Sequence, residues 1–188
     1  MKLCMVTHKV VKGDGQGRVN YEITWEAIRR GHEVTLLASA IAPELACHGN
    51  VNWVPIAAQT LPLKLLQNLF FSWQSARWLQ RHHHRFHVIK VNGAITKFPG
   101  HINAVHFVHS AWARSRVFKL DRSPYGLYQR MYTALNAIWE KQAFRQAELI
   151  VAVSQKIKEE LIAIGVPQEK IEVIFNGVDP DEFCLGAV

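Results

Sequence analysis

Acidic residues are scarce in this sequence and unevenly placed: none occurs between Glu44 and Asp121. Lys+Arg number 22 against 15 Asp+Glu, so the net charge is +7, and the ten histidines would add to it in acid. The gap leaves His82, His83, His84 and His87 without the carboxylates that orient zinc-binding imidazoles, so these histidines read as a solvated basic helix end rather than a metal site. No carboxylate pair suited to hydrolysis stands out elsewhere. Cysteine is equally sparse. Cys4, Cys47 and Cys184 are odd in number and far apart, which excludes a disulfide framework and reads as packing residues in a reducing cytosol. Long apolar runs are absent too. Nothing here is apolar for the ~18 residues of a membrane span, and Met1–His8 is too short in apolar residues for a secretory signal. The phosphate-loop, hydrolase-elbow, thiol-redox and zincin motifs are all missing. A basic balance without a motif gives no expectation of nucleic-acid binding.

What is there is an ordinary globular composition, 49% hydrophobic and 20% charged, in 188 residues. This fits one domain with an appendage and excludes a disordered tail or a fibre. Short apolar runs alternate with helical patterns. Strands are expected at 3–7, 32–38, 51–55, 86–91, 104–109, 149–153 and 171–175. The first helix closes on Arg29-Arg30-Gly31, with the basic pair at the negative end of the helix dipole and glycine just beyond. Ser123 with Pro124, and Ser154, read as helix starts. This alternation implies α/β architecture: a Rossmann-like parallel sheet with helices on both faces, spanning 1–175. Ligands of such sheets sit at the carboxyl ends of the strands, which directs attention to loops 8–18, 92–103 and 109–122 and to the start of 154–164. The last strand has no closing helix, so residues 176–188 read as a crossover at a domain boundary.

Three features carry chemistry. The loop Lys12-Gly-Asp-Gly-Gln-Gly-Arg18 joins a strand to a helix, where glycines let amides approach an anion. Its spacing misses the dinucleotide fingerprint, since Arg18 and Asn20 stand where a third glycine belongs. A mobile loop and a phosphate- or sugar-binding loop with Arg18 as charge clamp both stay open. His109 is expected at the carboxyl end of the fifth strand, facing ligand, with His106 on the opposite face; ordinary packing is the alternative. Helix 63–82 is too apolar for one stripe. Leu66, Leu69, Phe70, Trp73 and Ala76 fit a core face, whereas Leu63, Leu65, Phe71 and Trp78 fall outside it beside Lys64, Arg77 and Arg81. A helix lying in a lipid interface and a helix buried on two sides are both consistent. Arg114, Arg116, Lys119 and Arg122 form a second basic patch for anionic lipid or a phosphorylated acceptor.

Read together, the glycine loop closing on Arg30-Gly31-His32-Glu33-Val34, the strand ending at His109, and the run from Glu140 through Ala147–Ser154 to Asn176-Gly177-Val178-Asp179 and Phe183 resemble retaining glycosyltransferases of family 4, with the GT-B fold. That resemblance implies two Rossmann-like domains with a cleft between them, of which this sequence matches the N-terminal, acceptor-side one. The donor domain and its paired glutamates would lie beyond. It further implies a nucleotide-sugar co-substrate, a glycan or lipid-linked acceptor, lipopolysaccharide or polysaccharide synthesis, and a cytoplasmic protein peripheral to the inner face of the membrane through 63–82. Gly15, Gln16, Gly17 and Arg18 would be the loop near donor phosphates, and His109 the residue reaching the transferred sugar. Asn92, Gly93, Arg114 and Arg116 are acceptor-side candidates, and Asn176, Gly177 and Asp179 match the interdomain crossover. No metal or other cofactor is expected, since side chains and a helix dipole meet the charge on the leaving phosphate. A non-catalytic glycan- or membrane-binding module and an NAD-dependent Rossmann enzyme are the rival readings.

Overall fold

A computed structural model describes residues 1–115 and 123–177. Seven parallel strands form one sheet in the spatial order β5-β3-β1-β6-β7-β8-β9, with β1 at Lys2–Val6, β3 at Glu33–Ala38, β5 at Val51–Pro55, β6 at Val88–Asn92, β7 at Ile102–Val105, β8 at Leu149–Ala152 and β9 at Ile171–Val173. A parallel pair of two-residue strands, β2 (Lys9–Val10) and β4 (Ala40–Ile41), stands beside it. The helices are α1 (Gly15–Arg29), α2 (Pro43–Ala46), α3 (Lys64–His82), α4 (His109–Arg114), α5 (Pro124–Gln146) and α6 (Gln155–Ala163).

Alternation of side chains across the strands builds the core. Met5, Val34, Leu36 and Ala38 face Tyr21, Ala27 and Ile28 of α1. Cys4, Val6, Leu37, Ile89 and Val91 face Phe71 and Leu79 of α3. A third cluster joins Val105, Ile150 and Ala152 to Phe144 of α5 and to Ile157 and Leu161 of α6. Gly100 is required where the chain crosses β6, because a Cβ there would lie 2.9 Å from Val91 Cγ1. Helix ends follow the local chemistry. Gly31 and Gly165 adopt φ of +76° and +88° just past α1 and α6. Ser123 Oγ and Ser154 Oγ accept from the Gly126 and Ile157 amides, as their sequence positions led us to expect. Arg29 and Arg30 both bind Glu26, at 2.7 and 2.6 Å.

Several expectations need correction. The buried face of α3 is Phe71, Ser72, Ser75, Ala76 and Leu79, whereas Leu66, Leu69, Phe70 and Trp73, expected in the core, are exposed. Leu63 is exposed as well, so the apolar surplus of this helix forms an open stripe. Helical spacing puts Tyr128, Met131, Tyr132, Leu135, Ile138 and Trp139 on one face of α5, but Thr133, Asn136 and Glu140 are buried together with Phe144, and Met131 and Ile138 are exposed. Helical spacing puts Val19, Ile23 and Ala27 on one face of α1, but Ile23 is exposed, and Asn20 and Thr24 join Ala27 in the buried positions. Cys47 is exposed rather than packed; Cys4 is buried, which pushes its thiol up to about 12. Strand β7 stops at Val105 and does not run on to His109. Arg116, Asp179, Phe183 and Cys184 lie outside the described residues.

Candidate active site

The chain order β1, β3, β5 runs outward on one side of the sheet and β6, β7, β8, β9 on the other. The reversal falls between β1 and β6, and a crevice opens where the loops leaving their carboxyl ends diverge. There, β1 continues into Thr7 and His8. Strand β6 ends at Asn92, and Gly93 turns the chain away at φ +64°. The connection 93–101 holds no helix, and its first residues, Gly93 to Lys97, form one wall of the crevice. The result is a cavity of about 230 Å³, whose walls include His8, Gln16, Asn92, His106, His109 and Tyr132.

His109 reaches this cavity by an unexpected route. It is the first residue of α4, and Glu140 of α5 holds it there. Glu140 is 1% exposed. Its Oε2 accepts from the His109 amide at 2.7 Å and lies 3.3 Å from His109 Nδ1; its Oε1 accepts from the Ser110 amide at 2.7 Å. One carboxylate thus caps a helix and fixes an imidazole. A carboxylate only accepts, so the Nδ1 contact requires the proton on Nδ1 and leaves Nε2 as the ring's acceptor. Burial of Glu140 favours its neutral form, but hydrogen bonds from His109 and Ser110 outweigh it and hold the carboxyl below its ordinary range. Phe107 and Tyr132 pack edge-on to the His109 ring, at 5.0 and 6.2 Å between centroids.

Beneath the floor lies a polar chain. Lys90 Nζ donates to Asn20 Oδ1 at 2.8 Å and to Asn92 Oδ1 at 2.9 Å, and Asn20 Nδ2 donates to Thr7 Oγ1 at 2.9 Å. This chain ties α1 to the ends of β1 and β6. Burial pulls the Lys90 ammonium down to about 7. Burial and then the Lys90 charge hold His106 below its ordinary value, and burial followed by Lys64 and Lys9 brings His8 down to about 4. Three polar atoms of cavity residues have no partner among the described residues, Asn68 Oδ1, Asn92 Nδ2 and His106 Nε2.

The other expected site residues fall as follows. Gly15 begins α1 beside open space, and Gln16 lines the cavity. Gly17 is closely packed, since a Cβ there would stand 3.0 Å from Asp14 Cβ, and its amide donates to Asp14 Oδ1 at 2.8 Å. A carboxylate of the chain's own therefore occupies the α1 N-terminus. Arg18 Nε lies 2.5 Å from Glu22 Oε1 along the helix. Gly93 lines the cavity and is clamped by both amide atoms of Asn103. Arg114 is exposed at the end of α4, and Asn176 and Gly177 are exposed coil after β9. His106 and His109 share one cavity instead of opposite faces, because the strand ends before either. Sequence reasoning missed the parts played by Lys90, Asn20 and Glu140; a lysine inside an otherwise apolar strand run was the available signal. At the C-terminal end of α3, His82 and His83 close the helix through Trp78 O and Leu79 O, at 2.7 and 3.2 Å. Among the described residues no group of three or more His, Cys, Asp or Glu is placed to hold a metal ion.

The sheet order and the crevice at its switch point define a Rossmann-type domain. Comparison with known proteins agrees: residues 13–182 match the family described as Glycosyltransferase Family 4, and the chain belongs to that family. An uncharacterized glycosyltransferase of Methanocaldococcus jannaschii, MJ1607, is 25% identical over 165 residues, covering 84% of this chain and 41% of that protein. Among solved structures, sucrose-phosphate synthase from Thermosynechococcus elongatus superposes with a TM-score of 0.67 at 11% identity, over 97% of this chain and 49% of that one. WaaG, a glycosyltransferase of lipopolysaccharide biosynthesis, gives 0.65 at 16% identity, over 95% and 46%. HepE of Anabaena, solved with UDP and glucose, gives 0.55 at 19% identity, over 96% and 46%. At these identities the structures speak for the fold. The chain spans less than half the length of each of these relatives.

Proposed function

We propose that this chain is the acceptor-side domain of a retaining glycosyltransferase that moves a sugar from a nucleoside diphosphate to a glycan or lipid-linked acceptor. The observation that carries the reading is His109, fixed by the buried Glu140 at a cavity on the switch point of a family 4 fold. With Nδ1 committed to Glu140, Nε2 is free to accept from a hydroxyl of the transferred sugar and set its orientation. The acceptor oxygen bonds to the anomeric carbon on the face from which the diphosphate leaves, and the acceptor's proton passes to the departing phosphate. Charge on that phosphate is met by side chains and a helix dipole, with no divalent metal assigned. Reading of the donor nucleotide falls to the donor-side domain that the family resemblance implies.

Peripheral contact with the inner face of the membrane belongs to the same reading. The open stripe Leu63, Leu66, Leu69, Phe70 and Trp73 lies beside Lys64 and Arg77, with the Arg77 guanidinium 5.4 Å from the Trp73 ring centroid. That is the composition of an interfacial helix. No helix among the described residues is long and apolar enough to cross a membrane. The fold shared with WaaG makes a lipopolysaccharide-type acceptor the first to try. The test is release of nucleoside diphosphate from a panel of sugar nucleotides in the presence of such acceptors. Acceptor-stimulated release with retained anomeric configuration by NMR supports the proposal; inversion overturns it.

A further inference from the structure

The walls of the cavity carry a marked excess of positive charge. Lys64 and Lys97 both line it, and Lys90 lies beneath the floor formed by Asn92 and His106. The one carboxylate in its lining, Glu140, has both oxygens committed to the head of α4. No ion pair joins Lys64 or Lys97 to a carboxylate among the described residues. Lys64 is also misplaced for stability. It is the first residue of a 19-residue helix whose cap, Leu63, offers no side-chain hydrogen bond and whose first turn has no acid. A cation at the positive end of a helix dipole is unfavourable on its own, and becomes favourable when an anion sits between them. Asn92, 2% exposed and lining the same cavity, has an amide nitrogen without an acceptor. Leu63, Leu66 and Leu69 are exposed at the same end of α3 as Lys64, and Leu69 also lines the cavity.

We infer that the acceptor carries a phosphate, seated in this cavity against Lys64 and Lys97 at the head of α3. The inference rests on the acceptor-side reading above and names the acceptor's chemistry. A phosphate on a saccharide and a phosphate linking a saccharide to lipid present the same group to these lysines.

Equilibrium binding tests this without turnover, so a failed transfer assay and a failed phosphate site are separable. Glucose 6-phosphate, glucose, UDP and vesicles containing phosphatidic acid are each titrated into the chain by calorimetry at low and high salt. Lys64→Gln and Lys97→Gln are run in parallel; both side chains are exposed, so folding should be preserved, as circular dichroism will check. The expected result is salt-sensitive binding of glucose 6-phosphate or of the vesicles, but not of glucose, weakened about tenfold or more by either substitution. Binding of glucose 6-phosphate points to a soluble phosphorylated acceptor, and binding of the vesicles alone to a lipid-linked one. Lys64→Glu should abolish binding yet raise the melting temperature by about 1–3 °C, because it relieves the helix dipole. Binding unaffected by the substitutions, equal binding of glucose, or no binding of either phosphate probe overturns the inference. Tighter, lysine-dependent binding of UDP would also overturn it, by giving the site to the donor.

Discussion

Glu140→Ala is the most demanding test of the site's architecture. The substitution removes the only acceptor of two backbone donors, the His109 and Ser110 amides, each 2.7 Å from a carboxylate oxygen. It also frees the His109 ring, whose Nδ1 lies 3.3 Å from the same group. Glu140 is 1% exposed, so water does not readily replace the lost partner. An unsatisfied buried donor costs about 1–3 kcal/mol, and two of them with a small cavity amount to about 3–5 kcal/mol. Glu140→Gln keeps one acceptor oxygen but turns an amide N–H toward a donor, so about 1–3 kcal/mol is expected. The pH dependence fixes the sign. The folded carboxyl titrates below its ordinary value of 4.5, so its contribution is complete above that pH and is lost as pH falls toward the depressed folded value. Urea denaturation of wild type and both variants, at pH 7 and at steps below 4.5, should show the gap between wild type and Glu140→Gln narrowing in acid. A Glu140→Ala protein within 0.5 kcal/mol of wild type, with no dependence on pH, would refute the reasoning.

Other perturbations separate the faces of the molecule. Phe71→Ala should cost about 3–5 kcal/mol in urea denaturation because its ring is fully buried, whereas Trp73→Ala should cost under about 0.5 kcal/mol while weakening sedimentation with anionic vesicles. Gly17→Ala should destabilise the start of α1, since its Cβ meets Asp14 at 3.0 Å, while Gly15→Ala, beside open space, should leave the melting temperature unchanged. Lys90 is held near 7 in the folded state against an ordinary 10.5, so the unfolded chain binds the extra proton between these values. Stability should therefore rise with pH across that window, and Lys90→Met should flatten the rise in a denaturation series.

The strands were legible because a parallel sheet covered on both faces needs nearly continuous apolar runs, and Leu3–Val6, Leu36–Ala38 and Ile150–Ala152 supply them. Caps at Ser123 and Ser154 were legible because their chemistry is local. The inner faces of α3 and α5 were not. Hydrophobicity assigns Trp73 and Met131 inward, but Ser72 and Ser75 are buried on α3 in their place, and on α5 the buried Glu140 is spent on the His109 and Ser110 amides. Such positions are decided by bonds between segments distant in sequence, which periodicity does not record. His109 shows the same limit. The apolar run Ala104–Val108 continues past the point where β7 ends, and Glu140, 31 residues later, recruits the next amides into a helix. Lys90 could have been noticed, as a charge inside a strand, but its partners Asn20 and Asn92 are set by the sheet order.

The role assigned to His109 is tested most directly by removing its side chain. In the protein carrying this chain, His109→Ala should lower acceptor-dependent release of nucleoside diphosphate by about a hundredfold or more, the scale expected when a group that orients or stabilises the transition state is removed. Denaturation midpoints should stay close to wild type, because the amide that Glu140 caps is retained. Unchanged turnover in a folded His109→Ala protein would contradict the assignment.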